Sequence, residues 1–446
     1  MFGVRKAQDT VLKPYVFKIR EGFLVGVAAE RSSGSPCQEC LFLWLRERDV
    51  WVEKAQVSDL IVRRDILAEL LVENSPHTQY EISKDGIATR LDGLVFPHPQ
   101  CECWKNHSYT APTELSKKTN FAFTPLTQIK SVRLGTPSQS LWLTSVGGQG
   151  PLSRKVIQAS AVETDREASR QSAIAAWMKS AAYEDLRTRI QSGESIASEV
   201  FQSNQIEILN SERFAMDEFK GMGAGSTPEA ARLEALTSLA RYRVIHQYGA
   251  AMKNPMLVVG SNAWIRDRVP FFLLQQQDLY LLFYPNAFPC WVVGVAAFSR
   301  QSVEAKPIFV FASGTDINQA MSEALYKMVD QCRPSEWSPS SDRTVSDKEK
   351  DKKAKLHQWW TNWIYRSPKI SLKDVLHLEN YSHDLAVWKG YFSDGQDPVH
   401  FTPANHPLLP FPIRRLVKLS LSKPVQASPY SVRGIGTFSH LKDGLI

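Results

Sequence analysis

The chain has 446 residues, a formal net charge of +7 at pH 7, 43% hydrophobic and 22% charged residues. That length suggests about two or three domains with real cores, and the composition excludes the disordered and fibrous classes. The mild basic excess falls short of the Lys/Arg stripe of a dedicated nucleic-acid binder, and its densest run, KEKDKKAK at 348–355, mixes both signs as a solvated linker or helix face does.

The N-terminus, MFGVRKAQDTVLKPYV, lacks the apolar core and small-residue cleavage site of a secretion signal, so a cytoplasmic protein is expected. Six cysteines follow, four of them in two close pairs, Cys37-Gln-Glu-Cys40 and Cys101-Glu-Cys103. Two thiolates so spaced on a tight turn bind one face of a tetrahedral zinc ion, and a second pair completes a four-sulfur shell. Pro36, Pro97 and Pro99 supply the turns. The alternatives are a disulfide pair, which suits a chain without a secretion signal poorly, or four unrelated buried thiols; His98 or His107 could replace one cysteine. Four protein ligands leave no open position for water, so the site is expected to be structural. Cys290 and Cys332 lie in apolar or helical contexts and read as core.

Between the pairs, Leu60, Ile61, Ile66, Leu67 and Leu70 predict a helix within 57–74, and TQYEIS and ATRLDG read as strands. Residues 1–110 therefore form a small α+β module stapled by metal, and the polar, Pro-containing stretch 108–128 reads as a linker.

Beyond it one pattern recurs three times: a strand-like run or glycines, a polar cap, then a helix with small residues four apart. The copies begin at Thr164-Asp-Arg-Glu-Ala168, at Thr227-Pro-Glu-Ala-Ala231 with Thr227 as cap and Pro228 as first helical residue, and at Thr315-Asp-Ile-Asn-Gln-Ala320. They follow KVIQASAVE, Gly221-Met-Gly-Ala-Gly225 and PIFVFASG. The glycine run reads as a flexible turn, or as a weak phosphate cradle, since the Lys-Ser/Thr of a P-loop is missing. The apolar stretch at 279–298 is broken by Pro285, Asn286 and Pro289, so it reads as two buried strands joined by a turn and not as a membrane helix. Residues 335–355 read as a disordered excursion. After them, HQWWTNWIYRSPKISLKDVLHL predicts two helices, 386–392 a strand, and His406-Pro-Leu-Leu-Pro-Phe-Pro412 an extended segment.

This order of a paired-cysteine module, three helices of the form A-x-x-x-small and a late Pro-Phe-Pro segment resembles the YcaO-type cyclodehydratases of thiazole/oxazole-modified peptide biosynthesis, over residues 30–412. The resemblance implies an α+β fold: a zinc-binding docking module at 1–110, then a YcaO-like domain at 125–446 built from repeated strand-turn-helix units. The cysteine module looks like the zinc-bearing end of the partner domain related to ubiquitin-activating-type enzymes. In that family, Cys, Ser and Thr of a ribosomally made precursor peptide are cyclised to azolines at the expense of ATP. Only about 35 residues stand before Cys37. Leader recognition, or catalysis, is then expected from a separate partner chain; a homo-oligomer is left open, and no membrane contact is implied. The chain also continues from Ile413 to Ile446 past the Pro-rich segment, which ends the chain in the family.

Family members bind ATP and magnesium through Glu residues on these helices, in patterns like S-A-x-x-E-x-x-E-R, because hard cations bridging phosphates take charged oxygen ligands. Here, after Ser172-Ala173, the two acidic positions hold Ala176 and Lys179; the second helix holds Ser238 and Arg241, and the third Lys327. Such replacements reverse the local charge and argue against ATP and magnesium. Glu167, Glu234 and Glu323 lie nearby, but one helical position rotates a side chain by about 100°, so solvated positions are expected. The function implied is a YcaO-like docking or scaffold subunit of a peptide-heterocyclising complex. A zinc-stabilised peptide- or nucleic-acid-binding protein is the alternative, with residues such as Trp264-Ile-Arg-Asp-Arg268 making contact. No Gly-x-Ser-x-Gly or His-Glu-x-x-His supports a hydrolase.

Overall fold

The structure is a computed structural model that describes residues 12–31, 36–47, 50–56, 64–73, 78–95, 98, 100–104, 120–123, 126–136, 138, 140–150, 153–209, 221–225, 228–250, 253–285, 289–301, 305, 307–332, 358, 361–381, 384–393, 399–403 and 415–421. The expected excursion at 335–355, the Pro-rich segment 406–412, the cap Thr227 and the ligand candidate His107 lie outside them.

The first part is a six-stranded sheet with two helices. Strands β1 (Lys13–Ile19) and β2 (Gly22–Ala28) form a hairpin in which Val16 faces Val25 and Phe17 faces Leu24. Helix α1 (Gln38–Glu47), β3 (Val52–Ala55), helix α2 (Arg64–Glu73), β4 (Thr78–Ser83), β5 (Ala88–Val95) and β6 (Asn120–Phe123) follow, giving the strand order β3-β1-β2-β4-β5-β6. Alternation along β1 sends Phe17 to α1, with Leu41 and Trp44, and Val16 to α2, with Ile66 and Leu70. TQYEIS and ATRLDG are thus strands, as expected. Of the stretch 108–128 read as a linker, residues 108–119 lie outside the described residues, and its far end is strand. Asn120–Phe123 pairs in parallel with β5, and β7 (Leu126–Gly135) starts three residues later, because NFAF and the run after Leu126 have strand rather than linker character.

Strands β7, β8 (Ser140–Gln149) and β9 (Val156–Glu163) make an antiparallel meander that carries α3 (Arg166–Gln191). The helix starts where Asp165 accepts hydrogen bonds from the Glu167 and Ala168 amides. It buries Ala173, Ile174, Trp177, Met178 and Ala181 on the meander. Next come β10 (Ile196–Val200), β11 (Ile206–Leu209), β12 (Gly221–Gly225) and the second long helix, α4 (Pro228–Ala250). Then β13 (Met256–Val259), α5 (Asn262–Arg266), α6 (Phe271–Gln276), β14 (Gln277–Tyr284), β15 (Trp291–Ser299), β16 (Ile308–Gly314) and α7 (Ile317–Gln331) lead to the third, whose cap is Asp316. All three expected strand-turn-helix units are present, and the 279–298 stretch is the β14–β15 hairpin.

Strand β17 (Lys369–Ser371), helices α8 (Leu372–Leu376) and α9 (Leu385–Ser393), β18 (Val399–Pro403) and β19 (Arg415–Leu421) complete two five-stranded sheets, β11-β10-β18-β19-β12 and β16-β15-β14-β13-β17. Between the helices expected in 357–378 lies β17, parallel to β13. Residues 386–392 form a helix, not a strand: Trp388 and Phe392, four apart, stack with centroids 6.2 Å apart and are both sealed in the core. The glycine run is neither turn nor cradle. It is strand β12, where a Cβ on Gly223 would strike the Ala231 carbonyl and the Ala235 amide of α4, so only glycine lets strand and helix approach this closely.

Candidate functional site: a cysteine cluster and a three-helix charge centre

Cys37 forms an isolated parallel bridge with Ala29 and immediately precedes α1, whose first turn carries Cys40. Cys101 is held by its amide hydrogen bond to the His98 carbonyl, and Cys103 lies in the single 3-10 turn Glu102–Trp104. Two local turns thereby bring four buried Sγ atoms within 4.8 Å of one another, with Cys37 Sγ 3.7 Å from Cys40 Sγ and 3.6 Å from Cys101 Sγ. None is in a disulfide, and the four could hold a metal ion. Hydrogen bonding, from Cys101 above all, draws the Cys37 thiol down to about 7, and Cys103 foremost draws Cys101 down to about 7, while Cys40 is pushed up.

His98 does not stand in for a cysteine. Its Nδ1 accepts the Gln100 amide at 3.2 Å, its Nε2 lies 3.1 Å from Glu47 Oε1, and its ring meets Trp44 edge-on. Burial lowers its pKa against the pull of Glu47. Cys290 and Cys332 are core thiols, each pushed up to about 12 by burial.

The three repeat helices converge elsewhere, on a cluster of opposite charges. Lys179 of α3 reaches Glu234 of α4, Nζ to Oε1 at 2.6 Å, and the other oxygen of Glu234 accepts the Ala224 amide of β12 at 2.6 Å. On α7, Lys327 pairs with Glu323 one turn earlier at 2.6 Å and sits 3.4 Å from the Phe311 carbonyl. Arg241 of α4 lies in the field of both glutamates, donates to Ser238 Oγ at 3.3 Å, and has a buried Nε without a hydrogen-bond partner. At the end of β9, Glu163 accepts from Ser172 Oγ at 2.9 Å, and its pKa is raised by burial and by Glu323.

Of the five positions singled out in the sequence, Lys179, Arg241 and Lys327 thus meet, and Ser238 serves Arg241. Ala176, half-buried on α3, offers only its backbone carbonyl, which accepts from Ser180 Oγ. Glu234 and Glu323 are partly solvated, as expected, but each holds a lysine. A rotation of about 100° does not remove a glutamate whose flexible side chain meets a long lysine coming from the next helix or turn. Glu163 has no motif of its own; its one sequence signal is its place at a strand end, two residues before a helix cap. Burial works to raise the Glu323 pKa, but Lys327, Arg241 and Lys179 outweigh it and lower it. Burial likewise depresses Lys327 and Arg241. The Ala224 amide, which a phosphate would have used, already serves a carboxylate.

The Trp264 to Arg268 segment is also internally engaged. The guanidinium of Arg268 stands 4.3 Å from the Trp264 ring centroid and donates to the Trp264 carbonyl.

No protein-family model matches the sequence, and no curated protein matches it. Solved structures do. YcaO from Methanopyrus kandleri bound with AMPPCP and Mg2+ superposes with a TM-score of 0.51 at 13% identity, over 67% of this chain and 86% of its own. A heterocyclase in complex with substrate and cofactor superposes at 0.56 with 11% identity, over 93% of this chain and 72% of its own. The fold is YcaO-like. The match to the heterocyclase takes in nearly the whole chain, the cysteine-bearing sheet with the three-helix part. Among the described residues, the YcaO-like part brings together no group of three or more His, Cys, Asp or Glu side chains able to hold a metal ion. Nor is any described helix long and apolar enough to cross a membrane.

Proposed function

We propose that this chain is a YcaO-like component of a complex that installs azoline or azole rings on Cys, Ser or Thr of a ribosomally made precursor peptide, and that it docks or scaffolds rather than using ATP itself. The observation that carries this is the pairing at the three-helix centre. Lys179 takes Glu234 and Lys327 takes Glu323, so the carboxylates that would bridge magnesium and phosphates are engaged by fixed ammonium groups. An ammonium within hydrogen-bonding distance of a carboxylate repels the divalent cation that would replace it.

The cysteine cluster, on this reading, holds structural zinc. A tetrahedral shell with zinc–sulfur bonds of about 2.3 Å puts its sulfurs about 3.8 Å apart, close to the separations at Cys37, and two local turns supply all four ligands. Residues 1–110 act as the docking module and 125–446 as the YcaO-like domain. The division is supported by hydrophobic clusters that draw separately on residues 12–95 and 126–401. A cytoplasmic setting is supported by six cysteines without a disulfide. Ring formation then falls to a separate partner chain.

The test is to purify the full chain and measure phosphate release from ATP and magnesium with precursor peptide, alongside capture of that peptide and of its modifying enzyme. Capture without ATP turnover is the expected outcome. Turnover by this chain alone would sink the scaffold reading, and failure to capture either partner would sink the complex altogether. The nucleic-acid alternative would require a steep salt dependence of binding to DNA or RNA, and the internal engagement of Arg268 with Trp264 speaks against that surface.

A further inference from the structure

Among the described residues, the one residue other than glycine and asparagine with a left-handed backbone is Arg154, at φ 56° in the β8–β9 turn. Such a position persists in a residue with a long side chain only where the surroundings fix it. Here they do. The Arg154 amide donates to the Gly150 carbonyl and the Gly150 amide to the Lys155 carbonyl, each at 2.8 Å. The Ser153 amide donates to the buried Asp185 of α3 at 2.8 Å, and Lys155 pairs with the neighbouring Glu184. The turn is thus bracketed to α3, while its arginine reaches across to the first part of the chain: Arg154 Nη1 lies 2.8 Å from Oε1 of Glu47, the last residue of α1. Both halves of the cysteine cluster converge on that carboxylate. Cys40 stands seven positions earlier on the same helix, which is close to two full turns, so the two share one face about 10 Å apart along the axis. From the other half, Cys101 donates its amide to the His98 carbonyl, and the buried His98 sets its Nε2 3.1 Å from the same Oε1.

We propose that Glu47 and Arg154 are positioning residues that form a latch, through which metal occupancy of the cysteine cluster sets how firmly the first part of the chain is seated on the β8–β9 turn and α3. The proposal rests on the zinc reading above and gives the metal a second consequence beyond its own module. An ion bonded to Cys37, Cys40, Cys101 and Cys103 ties α1 to the turn that carries His98, so Glu47 is held from both sides within reach of Arg154. Without the ion, the two halves face each other through four buried sulfurs whose mutual S–H contacts are weak. Linkage makes the coupling reciprocal: by whatever factor the metal favours the latch, the latch favours the metal. The Arg154 and Glu47 side chains are 39% and 29% exposed, so the factor is that of a wet ion pair, about threefold.

The experiment compares the full chain, Arg154→Met and Arg154→Lys, each zinc-loaded and each stripped by a chelator. Two quantities are read: hydrogen exchange at the Ser153 and Arg154 amides, and zinc affinity by competition with a chromophoric chelator. In the unaltered chain, stripping should speed exchange at the turn about threefold. Arg154→Met should show the faster exchange with zinc still bound, respond no further to stripping, and hold zinc about threefold less tightly, the two factors agreeing as linkage requires. Arg154→Lys, which keeps the charge, should recover most of both. A purely structural Arg154 would speed exchange equally in the loaded and stripped states and leave zinc affinity unchanged, and that result overturns the latch. So does zinc that leaves without any response at the turn, with the zinc reading intact. A chain that binds no zinc overturns the latch and the zinc reading together, and none of these outcomes touches peptide capture.

Discussion

The cysteine cluster and the three-helix charge centre each gather groups whose like charges would repel, thiolates in the one and Lys179, Arg241 and Lys327 in the other, yet they offset that repulsion differently. Four thiols from two short turns stand where a metal ion could neutralise them, whereas the helices carry their own counter-charges, Lys179 for Glu234 and Lys327 for Glu323. A site of the first kind depends on its ligand for stability. The second kind carries its own counter-charges, one pair tying α3 to α4 and the other lying within α7, by contacts that are partly wet and individually weak.

The sharpest break between the two regions should come from metal removal. Chelation, or Cys40→Ser, should unfold the neighbourhood of α1 and the Glu102–Trp104 turn, since structural zinc contributes on the order of 10 kcal/mol to small modules; elemental analysis should find one zinc per chain, and limited proteolysis should then cut the first part before the second. Next in size, Gly223→Ala drives a methyl into the backbone of α4 and should cost about 3 kcal/mol, at the upper end of overpacking, read as a lowered denaturation midpoint with the cysteine module unaffected. Smaller again, Glu234→Gln weakens both the Lys179 contact and the Ala224 hydrogen bond, for about 1 kcal/mol. The smallest effect concerns pH. The cations around Glu323 hold its pKa below the ordinary 4.5, so their attraction stabilises the fold above that value and is lost as pH falls through the lower folded-state value. Lys327→Met should flatten that part of the acid-melting curve by less than about 1 kcal/mol, because both groups are wet.

What could be read from the sequence follows the same division. The cysteine pairs were legible because each is a local spacing, and the β14–β15 hairpin and the three strand-helix units because periodicity and caps are local too. The partners of Lys179 and Lys327 were less so: the first joins two different helices, a tertiary placement that no local spacing encodes, and α4 itself lies close on β12 only because residue 223 is glycine. Residues 386–392 misled because over seven residues the alternation of a strand and the four-residue repeat of Trp388 and Phe392 are hard to separate. The segment at 120–123 misled because pairing with β5 overrides a polar, Pro-containing neighbourhood.

Among the described residues strand β12 pairs with β19 alone, and β19 in turn joins it to β18. During synthesis the Gly221–Gly225 strand, with the Ala224 amide that anchors Glu234, therefore waits bare-edged until nearly two hundred further residues have been made. A contact order of this kind makes closure of the sheet late and slow. The pairing of β12 with β19 is thus among the late steps of the fold, although every residue of the charge centre precedes it in the chain.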